Sequence, residues 1–192
     1  FNEIINGATD WVYEEEFAFV RAFEWNADGK KIAFLRFDET LVPEFSMDVY
    51  GQALYQTKQV FKYPKAGEQN AIVSLHVYDL SKDLVNEVKL DKFYNDYYIP
   101  RIKWTTEPSI LSAQYINRYQ NELDLWAIDT SHLTETSNVS SILLTETDAA
   151  YVDVTDNLTF LKDNSFIWTS ESDGYNHLYH YNKNVKLIEQ LT

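Results

Sequence analysis

The sequence predicts an all-β fold, part of an irregular β-propeller of about three four-stranded antiparallel blades, on three observations. Short runs of alternating apolar and polar residues recur along the 192-residue chain, each closed by a turn signal, while helical periodicity is weak almost everywhere. The runs come in cycles of four, repeating roughly every 50–70 residues, as the strands of propeller blades do. The cycles also open alike: "FEWNADGKKIAFLRF", "IKWTTEPSILSAQYI" and "LTFLKDNSFIWTSE" are each an apolar strand, a short polar turn and a second apolar strand. A β-sandwich strings many short strands together too, and the fourfold cycle is what favours the propeller.

The first blade, approximately 17–90, opens with "FVRAFEW" (19–25) and "KIAFLRF" (31–37); after an excursion come "TKQVFKY" (57–63), then "AIVSLHVYDL" (71–80), whose "LHVYDL" takes the third-strand place, and "NEVKL" (86–90) in the fourth. The turn "NADGK" places Gly29 where a positive φ is needed. The second blade, 97–148, takes "YYIPRIKWTT", "SILSAQYIN", "ELDLWAID" and "SSILLTET". The third, 157–192, takes the strand pair within "NLTFLKDNSFIWTSE", then "HLYHYN" and "VKLIEQL". The segment "DETLVPEFSMDVYGQALYQ" (38–56) interrupts the first cycle and is expected to be a loop packed on its own Val42, Phe45, Met47 and Tyr50. Three blades are fewer than the four to eight of a closed ring. With a start at Phe1 and an end at "LIEQLT", the chain is expected to be a segment of a longer protein.

Composition narrows the function. The chain is 45% hydrophobic and 16% aromatic, enough to build a core. A net charge of −14 argues against nucleic acid and anionic membrane surfaces as partners. The absence of cysteine excludes disulfides, thiolate metal sites and a cysteine nucleophile. No two of the five glycines, at 7, 29, 51, 67 and 174, lie four apart, so this chain holds no G-x-S-x-G nucleophile elbow. Rossmann and P-loop patterns are absent for want of the same glycines. His177 and His180 are three apart in a predicted strand and face opposite ways, a poor metal site. No cofactor and no metal are expected.

The feature that asks for an explanation is "DWVYEEEF" (10–17), three consecutive glutamates beside large aromatic residues. In an extended strand Glu15 and Glu16 would face opposite sides, so a shared ligand requires the backbone to turn. Asp10 suits the N-cap of a short helical turn, and acids suit its positive end. Two carboxylates brought together repel when empty and recover that energy by binding an ammonium. The plain alternative is a solvated acidic turn.

"NGATDWVYEEEF", followed by "FEWNADGKKIAFLRFDETLVPEF" and "VFKYPKAGEQNAIVSLHVYDL", closely resembles the propeller of the dipeptidyl peptidase IV family of prolyl-specific serine exopeptidases. The motifs "DWVYEEE" (10–16), "FDETLVPEF" (37–45) and "YPKAG" (63–67) occur in the family's order, and "SESDGYNHLYHY" (170–181) looks like a family blade strand. The resemblance covers nearly the whole chain and is densest from about 4 to 80. It implies an eight-bladed propeller capping an α/β-hydrolase domain that carries a Ser-Asp-His triad. It implies that Glu15 and Glu16 bind the free α-amine of a peptide substrate, with Glu14 outside the clamp. It also implies release of X-Pro or X-Ala dipeptides, and a periplasmic or cell-surface location. The peptide N-terminus and the hydrolase domain are thus the expected partners. Two family features have no counterpart here: the arginine that assists the amine site is not found, and "AAYVDVTDN" (149–157) offers Tyr151 but no arginine. The triad is absent, so this chain alone should be inactive. Two other readings stay open, a non-catalytic propeller that binds peptides or proteins and the propeller of a prolyl tripeptidyl peptidase. Blade faces and strand edges without neighbours should make the segment self-associate.

Overall fold

The computed structural model describes residues 3–90, 92, 96–134 and 139–192. The strands in chain order are β1 (Ile4–Asn6), β2 (Phe23–Trp25), β3 (Lys31–Asp38), β4 (Glu44–Val49), β5 (Thr57–Lys62), β6 (Ile72–Asp79), β7 (Leu84–Glu87), β8 (Tyr97–Trp104), β9 (Ile110–Asn117), β10 (Glu122–Asp129), β11 (Val139–Thr147), β12 (Thr159–Phe160), β13 (Phe166–Ser170), β14 (His177–Tyr181) and β15 (Leu187–Gln190). One short helix, α1 (Trp11–Phe17), lies between β1 and β2. The strands form three antiparallel blade-like sheets, ordered β1-β3-β6-β7 with β2 also on β3, then β11-β10-β9-β8, then β12-β13-β14-β15. The fold is all-β, part of an irregular β-propeller.

The first sheet obeys the period of two that places alternate side chains on one face. Ala33, Leu35 and Phe37 of β3 are buried, as are Val73, Leu75 and Val77 of β6. Strand β3 pairs with β2 through Phe34, Ala33 and Ile32, and with β1 through Asp38, Phe37 and Arg36. Two compact units divide the chain: Phe1–Ala22 with Leu35–Ser74, and Phe23–Phe34 with Leu75–Thr192.

The first unit contains α1 and a two-stranded hairpin of β4 and β5, which forms its own sheet. This corrects the expectation of a self-packed loop at 38–56 and of "TKQVFKY" as a blade strand. Val42 is buried and Phe45 meets Phe61 at 5.9 Å, but Met47 and Tyr50 are exposed. The reason is pairing: "EFSMDV" alternates apolar and polar residues and finds its ladder partner in "TKQVFK", Glu44 opposite Lys62 through Val49 opposite Thr57.

In the second unit the sheets stack. Strands β9 and β10 are buried along most of their length: Leu111, Ile116, Leu123, Leu125 and Ile128 are fully buried, and so are the polar Ser112, Gln114 and Asp124, because both faces of their sheet are covered. On one side, Trp104 Nε1 donates to the Glu24 carbonyl at 2.9 Å and Asn26 Nδ2 donates to the Pro108 carbonyl at 2.9 Å. Asn26 Oδ1 also accepts from the Lys30 and Lys31 amides at 3.0 Å each, closing the turn in which Gly29 has a φ of 70°. On the other side, Glu146 accepts from Trp168 Nε1 at 2.9 Å and from the Ser170 hydroxyl at 2.8 Å.

Candidate functional site

Helix α1 forms where its sequence directs. Asp10 has extended backbone angles, φ −79° and ψ 178°, and its Oδ1 accepts the Tyr13 amide at 2.9 Å. That bond satisfies one of the amide donors a helix start leaves open. Tyr13 and Phe17, four apart, fall on one face and are buried. Their rings meet at 5.1 Å, and the Tyr13 ring stands edge-on to Phe37 at 4.8 Å. The helix ends at Ala18, which takes the left-handed conformation with φ 55°.

With Tyr13 and Phe17 facing the core, a helical step of about 100° per residue turns Glu15 directly away from it. Glu14 and Glu16 flank Glu15, and all three are exposed. The structure therefore sets Glu14, Glu15 and Glu16 in succession, about 100° apart, around the solvent side of one short helix. Glu15 lies one turn on from Trp11, on the same face. Trp11, 39% exposed, rests against Tyr63 with ring centroids 4.4 Å apart. Tyr63 in turn meets Phe45 at 5.4 Å and Phe61 at 6.1 Å, and Lys65 Nζ lies 5.8 Å above the Phe45 ring.

The same unit holds two buried acids that sequence patterning does not single out as titrating. Asp10 is 6% exposed and Glu39, just after β3, is 8% exposed. Burial pushes the Asp10 carboxyl from 3.8 up to about 6, against the opposing pull of the Tyr13 amide. Burial, and next the neighbouring Asp10 charge, push Glu39 up as well, while Lys62 draws it partly back. Lys62 Nζ donates to the Val42 carbonyl at 3.0 Å and lies 3.6 Å from Glu3 Oε1. A run such as "FDETLV" gives no local sign that its glutamate is covered, because the cover comes from residues distant in sequence.

In the second unit, a cavity of about 260 Å³ is lined by Glu24, Arg101, Lys103, Gln114 and Asp156 among others. Arg101 pairs with Asp156, and Gln114 Nε2 donates to the Thr155 carbonyl at 2.8 Å. Tyr151 is exposed, its hydroxyl 3.1 Å from Gln120 Oε1. His177 and His180 lie opposite Ser170 and Ile167 on β14, and no cluster able to hold a metal ion occurs among the described residues.

The comparisons with known proteins agree with this architecture. Residues 2–192 match the family described as the dipeptidyl peptidase IV (DPP IV) N-terminal region. Dipeptidyl-aminopeptidase B of Aspergillus niger is 35% identical over 202 residues, covering 92% of this chain and 22% of that protein. The crystal structure of Porphyromonas gingivalis dipeptidyl peptidase 4 superposes with a TM-score of 0.90 at 37% identity, covering 100% of this chain and 27% of that one. The chain thus spans about a fifth to a quarter of the length of these relatives. It belongs to the dipeptidyl peptidase IV N-terminal region family.

Proposed function

We propose that this chain is the substrate-recognition part of a serine-type dipeptidyl peptidase, in which Glu15 and Glu16 hold the free α-ammonium of a peptide. The observation that supports this reading is their presentation: a capped helix, anchored by Tyr13 and Phe17, turns two adjacent carboxylates to solvent. An α-amine, with a reference pKa of about 7.7–8.0, is largely cationic at neutral pH and brings several N–H donors. Each carboxylate offers it a charge-assisted hydrogen bond. The nucleophile belongs to an α/β-hydrolase domain elsewhere in the parent protein. Holding the amine at a fixed distance from it makes the helix a ruler: only the bond two residues in reaches the serine, releasing X-Pro or X-Ala dipeptides. Binding energy remote from the reacting bond is then used for orientation. On the same reading the parent works in the periplasm or at the cell surface.

Full-length protein tests this with an X-Pro peptide carrying a free or an acetylated N-terminus. Acetylation removes the charge and donors, so cleavage should be confined to the free amine, with a dipeptide as product. Efficient turnover of the acetylated peptide would end the amine reading, and a tripeptide product would move the ruler by one residue.

Outside its parent, this chain is proposed to self-associate. Strand β15 ends its sheet, and Leu187, Ile188 and Leu191 are exposed there. An apolar edge with open backbone groups is a template for another strand.

A further inference from the structure

The cavity of about 260 Å³ in the second unit has no part in the function proposed above, yet it is built largely from polar side chains. Strands β8 and β9 set Arg101 opposite Gln114 and Lys103 opposite Ser112, so these four side chains share one face of the sheet. Three contacts lay the segment 155–158 on that face. Gln114 Nε2 donates to the Thr155 carbonyl at 2.8 Å, Arg101 pairs with Asp156, and Lys103 Nζ donates to the Leu158 carbonyl. Glu24 of β2 completes the lining. Ser112, Gln114, Thr155 and Leu158 are buried and make the floor, while Lys103 and Asp156 are exposed at the rim.

One atom of the floor is left over. Gln114 is 2% exposed, and its Oε1 has no hydrogen-bond partner among the described residues. Turning the amide over does not help, because the carbonyl oxygens of Gln114 and Thr155 would then face each other. A buried acceptor without a donor is costly, and an occupant that brings a donor removes the cost. A single water takes about 30 Å³, so the cavity has room for something larger. Its lining carries two bases, Arg101 and Lys103, and two acids, Glu24 and Asp156, and so no net charge. That balance favours a molecule carrying both signs over a lone anion or cation, whose buried charge would go uncompensated. Arg101 and Asp156 offset each other. Glu24 and Lys103 are the acid and the base for the two ends of a ligand. An ammonium has three donors, of which the Leu158 carbonyl takes one, and a carboxylate accepts several hydrogen bonds at once.

We propose that this cavity binds a small zwitterion of dipeptide size, its ammonium donating to Gln114 Oε1 and Glu24 and its carboxylate accepting from Lys103 Nζ. The site stands on the cavity alone. Only the choice of an X-Pro dipeptide as its occupant rests on the peptidase reading, in which such a dipeptide is the product.

The test is isothermal titration calorimetry of the full-length protein with glycyl-proline, and with its N-acetyl and C-terminal amide derivatives, each lacking one charge. Wild type should show a binding event that Glu15→Ala retains. Lys103→Gln, at the exposed rim, and Glu24→Gln should each weaken it by about tenfold or more, and each blocked derivative should lose a similar factor. Gln114→Met keeps the shape and removes the acceptor, and should abolish the event. Because it also removes the bond to Thr155, Lys103→Gln and Glu24→Gln are the deciding variants. A crystal of the complex should show the dipeptide against Gln114. Water alone in the cavity, equal affinity for the three probes, or binding that both Lys103→Gln and Glu24→Gln leave unchanged would overturn the proposal. Glu15→Ala separates it from the amine reading. If KM for a free-amine X-Pro peptide is unchanged in Glu15→Ala, the amine reading fails, while retained glycyl-proline binding still supports the cavity. If glycyl-proline binds once and Glu15→Ala abolishes that event, the cavity proposal fails and the amine reading stands.

Discussion

The Trp11 ring meets the Tyr63 ring at 4.4 Å with a tilt of 58°, joining the first residue of the glutamate helix to the residue that follows β5. Tyr63 is fixed from behind, because its amide donates to the Pro43 carbonyl at 2.9 Å and its ring meets Phe45 and Phe61. The hairpin base is therefore a platform under the face of α1 that carries Trp11 and Glu15.

That platform should be felt in substrate binding. Tyr63→Leu keeps an apolar side chain but removes the ring contacts with Trp11, Phe45 and Phe61, each worth about 0.5–1.5 kcal/mol. The expected result in the full-length protein is a loss of stability of at least one such contact by urea denaturation and, on the proposed amine-binding reading, a raised KM for free-amine peptides. Tyr63→Phe should behave as wild type. An unchanged KM in Tyr63→Leu would mean that the platform does not position the helix.

Asp10 predicts a pH dependence with a definite sign. Its carboxyl is raised in the folded state, from 3.8 to about 6, so folding favours the protonated form. The associated stability is fully present below about pH 4 and is lost as pH rises through about 6, a span of about 3 kcal/mol. Asp10→Asn retains the cap and removes the titration. Denaturation midpoints measured at both ends of this window should differ more in wild type than in Asp10→Asn; equal differences would rule out a raised Asp10.

Much of this was legible in the sequence, and the limits have physical causes. Alternation in "KIAFLRF" and "AIVSLHVYDL" marks β3 and β6 because one face of each is buried. Asp10 ahead of an acidic and aromatic run marks the cap, since capping is a local interaction. Gly29 in "NADGK" marks a turn that needs a positive φ. The β4–β5 hairpin is not legible in the sequence, because its pairing is decided by a partner more than a turn away. Strand β1, three residues long, has too few positions to show a period. Glu39 looks like any acid in a loop, because its burial is a tertiary fact.

Glu146 tests the stacking of the second and third sheets. It accepts from both Trp168 Nε1 and the Ser170 hydroxyl, and Trp168 is 1% exposed. Glu146→Ala leaves the indole N–H buried without an acceptor, at a cost of about 1–3 kcal/mol. Glu146→Gln keeps a carbonyl for the indole and offers its amide to the hydroxyl, so the loss should be much smaller. Equal losses in thermal denaturation would show that the carboxylate's charge, rather than its acceptor geometry, holds the sheets.

The open edge at β15 predicts concentration-dependent association of the 192-residue chain. Sedimentation velocity should show the apparent mass rising with concentration, and Ile188→Lys should reduce that rise by placing charge on the edge. A single monomeric species across the whole range would exclude association through this edge.

The three consecutive glutamates give the sharpest prediction, because helical geometry treats them differently. Glu15 points directly away from the Tyr13–Phe17 face, while Glu14 and Glu16 sit on opposite flanks of it. If the ammonium is held between Glu15 and Glu16, Glu15→Gln and Glu16→Gln should each raise KM for a free-amine dipeptidyl substrate by about 10- to 100-fold, the value of a hydrogen bond to a charged group. Glu14→Gln should stay within about twofold, as an exposed charge at a distance does in salt. Three equal effects would mean that the run attracts cations only through its summed field, and high salt would then abolish the differences from wild type. An effect confined to Glu15 and Glu16, persisting in high salt, requires direct contact with the amine.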